Sequence, residues 1–120
     1  MPRVSTSGFT NVLRDVNDTD FTWSAGDTGA KILSLTAPRT FHLPGPSTNA
    51  DALPSDGDYY DFLDPIGIVS ALHSVTISGG GYPILGAATL VLTSANLYIR
   101  FIFCSTPGIG AGGAWQAAEG

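Results

Sequence analysis

A chain of 120 residues is enough for one domain with its own core, since a domain of that size buries roughly two-thirds of the surface its unfolded chain exposes. Its single cysteine, Cys104, excludes an internal disulfide, so packing alone must hold the fold. Charged residues make up 12% of the chain against a usual ~25%, and the five basic ones (Arg3, Arg14, Lys31, Arg39 and Arg100) are scattered under a net charge of −5, which excludes the basic stripe a nucleic-acid partner requires. Low charge with a positive mean hydropathy points to a large contact surface hidden by a partner.

Helical periodicity is nearly absent, while 15 glycines and 8 prolines punctuate the chain at short intervals. Short β-rich runs between turn signals predict an all-β fold, a small antiparallel sandwich or barrel. Residues 1–10, with Pro2, several Ser and Thr and Gly8, read as an extended N-terminal arm, leaving 11–120 as a single β domain. That opening segment lacks the apolar core of a secretion signal. Strands are predicted over Phe9–Val16 and Phe21–Trp23, with turns at Asn17-Asp18 and Gly26-Asp27. Lys31–Thr36 follows with Leu33 and Leu35 on one face, then Thr40–Leu43 with Phe41 and Leu43 inward and His42 opposite. Pro44–Asp58 is a long loop, of the kind that often lies against a partner.

Asp58–Leu63 is the next strand, with Tyr60 and Phe62 on one face, and Pro65 ends it. Ala71–Ser78 alternates, placing Val75 and Ile77 inward, and Gly79-Gly80-Gly81 turns the chain. Ala87–Thr93 carries Leu90 and Leu92 on one face, Ser94-Ala95-Asn96 turns again, and Leu97–Cys104 is the longest strand. The apolar stretch Ile84–Cys104 is broken by Thr89, Thr93, Ser94, Asn96 and Arg100, so it reads as two strands and a turn, and no membrane partner is expected.

The last of these strands is the most informative. Leu97, Ile99, Phe101 and Phe103 form a core face. Tyr98, Arg100, Ile102 and Cys104 form a second face too apolar for open solvent, although a sheet with one wet side should alternate more cleanly. Such a face needs a cover, either the glycine- and alanine-rich tail Pro107–Gly120, folding back to anchor Trp115, or another subunit.

The sequence offers little chemistry. Asp56, Asp58, Asp61 and Asp64 lack the EF-hand pattern and read as solvated turn and strand-end residues. His42 and His73 sit on separate strands without metal-ligand spacing, and Cys104 ends an apolar strand as a small hydrophobe. Gly79–Gly81 and Gly108–Gly113 lack the strand-to-helix setting of a phosphate loop. Trp23, Tyr59, Tyr82, Tyr98 and Trp115 suit core and interface packing, with sugar stacking as the other use of such rings. No metal, cofactor or catalytic constellation is expected, and the chain reads as a binding or structural protein rather than an enzyme.

Taken in order, Arg39-Thr40-Phe41-His42-Leu43-Pro44, Gly57-Asp58-Tyr59-Tyr60-Asp61-Phe62-Leu63-Asp64, Ser74-Val75-Thr76-Ile77, the triple glycine, Ile84-Leu85-Gly86-Ala87-Ala88 and a late Trp115 resemble a β-rich module of small virion proteins of tailed bacteriophages. The resemblance covers roughly residues 39–115. It implies a virion component, commonly trimeric: a capsid decoration (cement) protein, or a receptor- or carbohydrate-binding module of a tail fibre or spike. The absence of sequence repeats and heptads favours the decoration protein, on the outer capsid surface with the major capsid protein and its own copies as partners. On that expectation Met1, Pro2, Arg3, Val4 and Phe9 in the arm meet the shell. Tyr98, Arg100, Ile102 and Trp115 form the subunit interface, with Arg100 paired across it to Asp58, Asp61 or Asp64.

Overall fold

The computed structural model describes residues 12–24, 27–48, 53–106 and 112–119, so the arm residues Met1, Pro2, Arg3, Val4 and Phe9 lie outside the described part. Among the described residues there are nine strands and no helix: β1 (Leu13–Asn17), β2 (Phe21–Thr22), β3 (Gly29–Ser34), β4 (Arg39–His42), β5 (Tyr59–Leu63), β6 (Val75–Ser78), β7 (Thr89–Leu92), β8 (Tyr98–Thr106) and β9 (Gly112–Glu119). They form two sheets, ordered β1-β3-β5-β8-β9 and β2-β4-β6-β7.

The first six strands alternate between the sheets, and each pairs in parallel with its counterpart one winding later. The chain therefore winds as three coils, in the manner of a parallel β-solenoid. Parallel strands need a crossover between them; here the crossover is a strand of the opposite sheet, so no helix is required. After β6 the chain reverses, and β7, β8 and β9 add as antiparallel strands. The expected antiparallel sandwich or barrel is thus corrected on two points. The sheets are mixed, and each keeps two edges, so no barrel closes. Period-two alternation is blind to strand direction, which is why the sequence did not reveal the coils.

The core lies between the sheets, and aromatic rings run through it. Trp23 meets Phe41 at 5.6 Å and Tyr60 at 6.3 Å; Tyr60 meets Trp115 at 5.9 Å; Trp115 meets Phe103 at 5.3 Å. Such pairs add about 0.5–1.5 kcal/mol each beyond the area they bury. The alternation read in β4, β5, β6 and β8 holds, with Phe41, Tyr60, Phe62, Val75, Ile77, Ile99, Phe101 and Phe103 all buried. In β3 it fails: Ala30 and Ile32 face the core, and Leu33 has no partner in β1 because Val16 pairs with Ile32 and Asn17 with Ser34. This irregularity returns Leu35 to the interior.

The triple glycine makes the turn the sequence predicted. Gly80 has φ +70°, and its backbone lies so close to Leu43 and Gly45 that a side chain there would collide with main chain. Ser47 N–H donates to Gly80 O at 2.8 Å, tying the 44–48 loop to this turn.

Candidate functional site: the outer face of the five-stranded sheet

Sheet register lines up the outward residues in rows. One row crosses all five strands as Leu13, Gly29, Asp61, Arg100 and Ala118. A second runs Asp15, Lys31, Leu63 and Tyr98, and a third places Tyr59 beside Ile102 and Gln116. Tyr98, Arg100 and Ile102 therefore share one outward face, as the alternation of β8 implied.

The charges on this face neutralise one another within the chain. Arg100 grips Asp61 with two hydrogen bonds, Nε to Oδ1 at 2.8 Å and Nη2 to Oδ2 at 3.0 Å. Tyr98 O–H donates to Asp61 Oδ2 at 3.0 Å and accepts from Arg100 Nη2 at 3.3 Å. The guanidinium carbon lies 4.1 Å from the centre of the Tyr59 ring. Bonding to Asp61 drives the Arg100 pKa further above its ordinary value. Burial first, and then the bond to Asp61, raises that of the Tyr98 hydroxyl. Lys31 Nζ pairs with Asp15 at 3.4 Å in the same way.

Two expectations are corrected here. Arg100 was expected to reach an aspartate across a subunit interface; its partner is Asp61 of its own chain, because the β5–β8 register sets the two side by side. Trp115 was expected at that interface, but it is fully buried, and its Nε1 donates to Gly79 O at 3.1 Å. The tail does return to anchor Trp115, as β9, but β9 extends the sheet at its edge beside β8 and does not lie over the Tyr98 face. Trp115 falls opposite Phe103, on the inner face.

Gly29 leaves a gap in the first row. A Cβ there would sit 2.9 Å from Leu13 Cδ1 and 3.3 Å from Asp61 Cβ, and its absence opens a depression of about 160 Å³ floored by Gly29 and walled by Leu13, Tyr59, Leu63 and the Asp61–Arg100 pair. The sequence reading missed Tyr59, Leu63 and Leu13 as members of this face. The signal was available in β5, where Tyr59 and Leu63 share the parity of Asp61 while Tyr60 and Phe62 take the core.

The outer face of the other sheet gives the comparison. Its rows read Thr22, His42, Ser78, Thr89 and Thr40, Thr76, Val91. Hydroxyls dominate there, as on an ordinary wet face, whereas the five-stranded sheet turns Leu13, Tyr59, Leu63, Tyr98 and Ile102 outward. Leu13 is 44% exposed and Ile102 36%.

The four clustered aspartates serve the fold separately. Asp56 accepts from Ser105 N–H at 2.9 Å, Asp58 from Ser55 N–H at 2.8 Å, and Asp61 holds Arg100. Asp64 is not solvated: it is buried and accepts four backbone amides. Among the described residues no three His, Cys, Asp or Glu side chains converge, and Cys104 is half-buried on the outer face. This surface combines outward apolar side chains with charges paired within the chain. No protein-family model matches the chain, and no curated protein matches it.

Proposed function

We propose that this chain is a non-catalytic structural protein of a tailed-phage particle, a capsid decoration protein that self-associates as a trimer through the outer face of its five-stranded sheet. The observation that carries the assembly role is the contrast between the two outer faces. One is hydroxyl-rich; the other joins Leu13, Tyr59, Leu63, Tyr98 and Ile102 around ion pairs already satisfied within the chain. Pre-paired charges lower the desolvation cost of burying such a face, because no carboxylate or guanidinium is stripped of its partner. The phage assignment rests on the ordered motifs between residues 39 and 115.

The role is then mechanical: area buried across joints of the shell raises the free energy needed to part them. Light scattering of the free protein should give three times 12.4 kDa. Ile102→Asp should return it to a monomer with little change in melting temperature. Mixed with undecorated capsids, the wild type should co-sediment and raise their disruption temperature. A monomeric wild type that also ignores capsids would refute the proposal.

One observation favours a second placement, in a tail fibre or spike. The three coils are structural repeats, and their unequal connections hide them from the sequence. The lack of sequence repeats therefore carries less weight against a fibre. Immunogold labelling of particles decides between shell and tail.

A further inference from the structure

We propose that a groove at the end of the four-stranded sheet binds a neutral saccharide. The groove has a volume of about 360 Å³, at the small end of the range of ligand pockets (~300–1,000 Å³), and among the described residues no charged side chain lines it. Three hydroxyl-bearing residues line it from three separate segments: Ser47 from the 44–48 loop, Ser78 from β6 and Thr89 from β7. Ser78 and Thr89 are cross-strand partners, so the latter two stand side by side. Tyr82, half-buried, is the aromatic residue among the described lining, and its ring packs on Phe103 with centroids 4.8 Å apart. The walls are preformed, because Ser47 N–H donates to Gly80 O at 2.8 Å and Tyr82 N–H to Gly79 O at 3.2 Å.

This inventory selects the ligand class. A pyranose presents an apolar C–H face to one aromatic ring and hydroxyls around its rim, matching one ring among hydroxyls and turn backbone. With no cation among the described lining residues, a phosphate, sulfate or uronate finds no pairing partner there. A proline-rich peptide needs a groove lined by several aromatics, and among the described lining residues Tyr82 is the one aromatic. The proposal goes beyond the assembly role and does not rest on it, since the groove belongs to the other sheet.

The test is amide NMR of the isotopically labelled protein titrated with maltotetraose, a β-linked galactose oligomer and an N-acetylglucosamine oligomer, with a polyuronate and a polyproline peptide as comparators. At least one neutral sugar should shift the amides of Ser78, Tyr82 and Thr89 with a Kd of about 1 mM or tighter. Tyr82→Ala should weaken that binding at least tenfold, and Tyr82→Phe should stay within threefold. Since Tyr82→Ala removes a ring packed on Phe103, Ala88→Trp serves as a second variant. Ala88 is an exposed lining residue, and the added indole should block the groove with an unchanged melting temperature. Silence from all three neutral sugars at tens of millimolar, shifts confined to another surface, or a response only to the polyuronate or the peptide would each overturn the proposal. None of these results bears on the oligomeric state, so the assembly reading is judged separately.

Discussion

Replacing Asp64 by asparagine preserves shape but exchanges one acceptor oxygen for an NH2 donor, and the structure predicts a severe loss of stability. Asp64 is 2% exposed. Oδ1 accepts the amides of Gly67 at 2.9 Å and Ile68 at 3.0 Å, and Oδ2 accepts those of Val69 and Asn96, both at 3.0 Å. One carboxylate thus pins the turn after β5 to the turn before β8. An asparagine offers one oxygen and one NH2, so whichever way it rotates, two backbone N–H groups face another donor. Hydrogen bonds to a charged group are worth about 1.5–3 kcal/mol each. Losing two at the low end, and weakening the other two to neutral bonds, amounts to about 4 kcal/mol. Asp64→Ala leaves four amides to whatever water can enter and should cost about as much. Asparagine should therefore be no better than alanine. Asp56→Asn, at an exposed carboxylate with a single amide partner, should stay within about 1 kcal/mol of wild type. Urea unfolding measures all three, reading the midpoint at constant slope. An Asp64→Asn variant within 1 kcal/mol of wild type would refute the argument that four converging amides need both side-chain oxygens as acceptors.

The two buried tryptophans should respond differently to phenylalanine. Trp115 Nε1 donates to Gly79 O at 3.1 Å, whereas Trp23 Nε1 is buried with no partner among the described residues. Both changes leave a cavity, but only Trp115→Phe removes a buried hydrogen bond, leaving Gly79 O with the Tyr82 N–H alone, and Trp23→Phe removes an unpaired donor. By urea unfolding Trp115→Phe should cost at least about 1 kcal/mol more. The acid limb of stability should depend on Asp18, whose carboxyl is held at about 2, below its ordinary 3.8, first by the Thr36 hydroxyl and amide and then by Arg39. The unfolded chain takes up this proton first, so the contribution of Asp18 is present above pH 3.8 and disappears as the pH falls through about 2. Melting temperatures between pH 5 and pH 2 should fall less steeply for Asp18→Asn, and parallel curves would contradict the assignment.

The sequence made several layers of this molecule legible and hid others for physical reasons. β8 was readable because alternating residues had to satisfy two unlike environments, and the same logic exposed β4, β5 and β6. The glycine turn was readable because φ +70° at Gly80 and the crowding around it demand that residue type. Strand direction was not readable, since a side chain alternates identically beside a parallel or an antiparallel neighbour. Leu33 was misplaced because an unpaired residue shifts parity without any local sign in the sequence. β9 gave one cue, Trp115, in an otherwise small-residue tail, and whether that ring faced the core or a partner depended on its pairing with Phe103. A pairing of Arg100 with Asp58, Asp61 or Asp64 was anticipated by charge but placed across an interface, because register rather than residue type decides which aspartate it meets and whether that partner is intramolecular. Asp64 looked like any strand-end aspartate, since the amides that surround it come from residues 67–69 and 96, brought together only by the fold.

The alternation of the first six strands between two sheets also dictates an order of events during folding. β6–β7 and β8–β9 join segments close along the chain, so their loops close at little entropic expense. Each winding of β1 to β6 must instead wait for a strand of the opposite layer before its parallel neighbour can register. The carboxyl-terminal hairpins are therefore the template, and the windings zip onto them towards the amino end. The first winding, whose β2 spans only 2 residues, is the last to lock and the first to peel when the chain is pulled from that side.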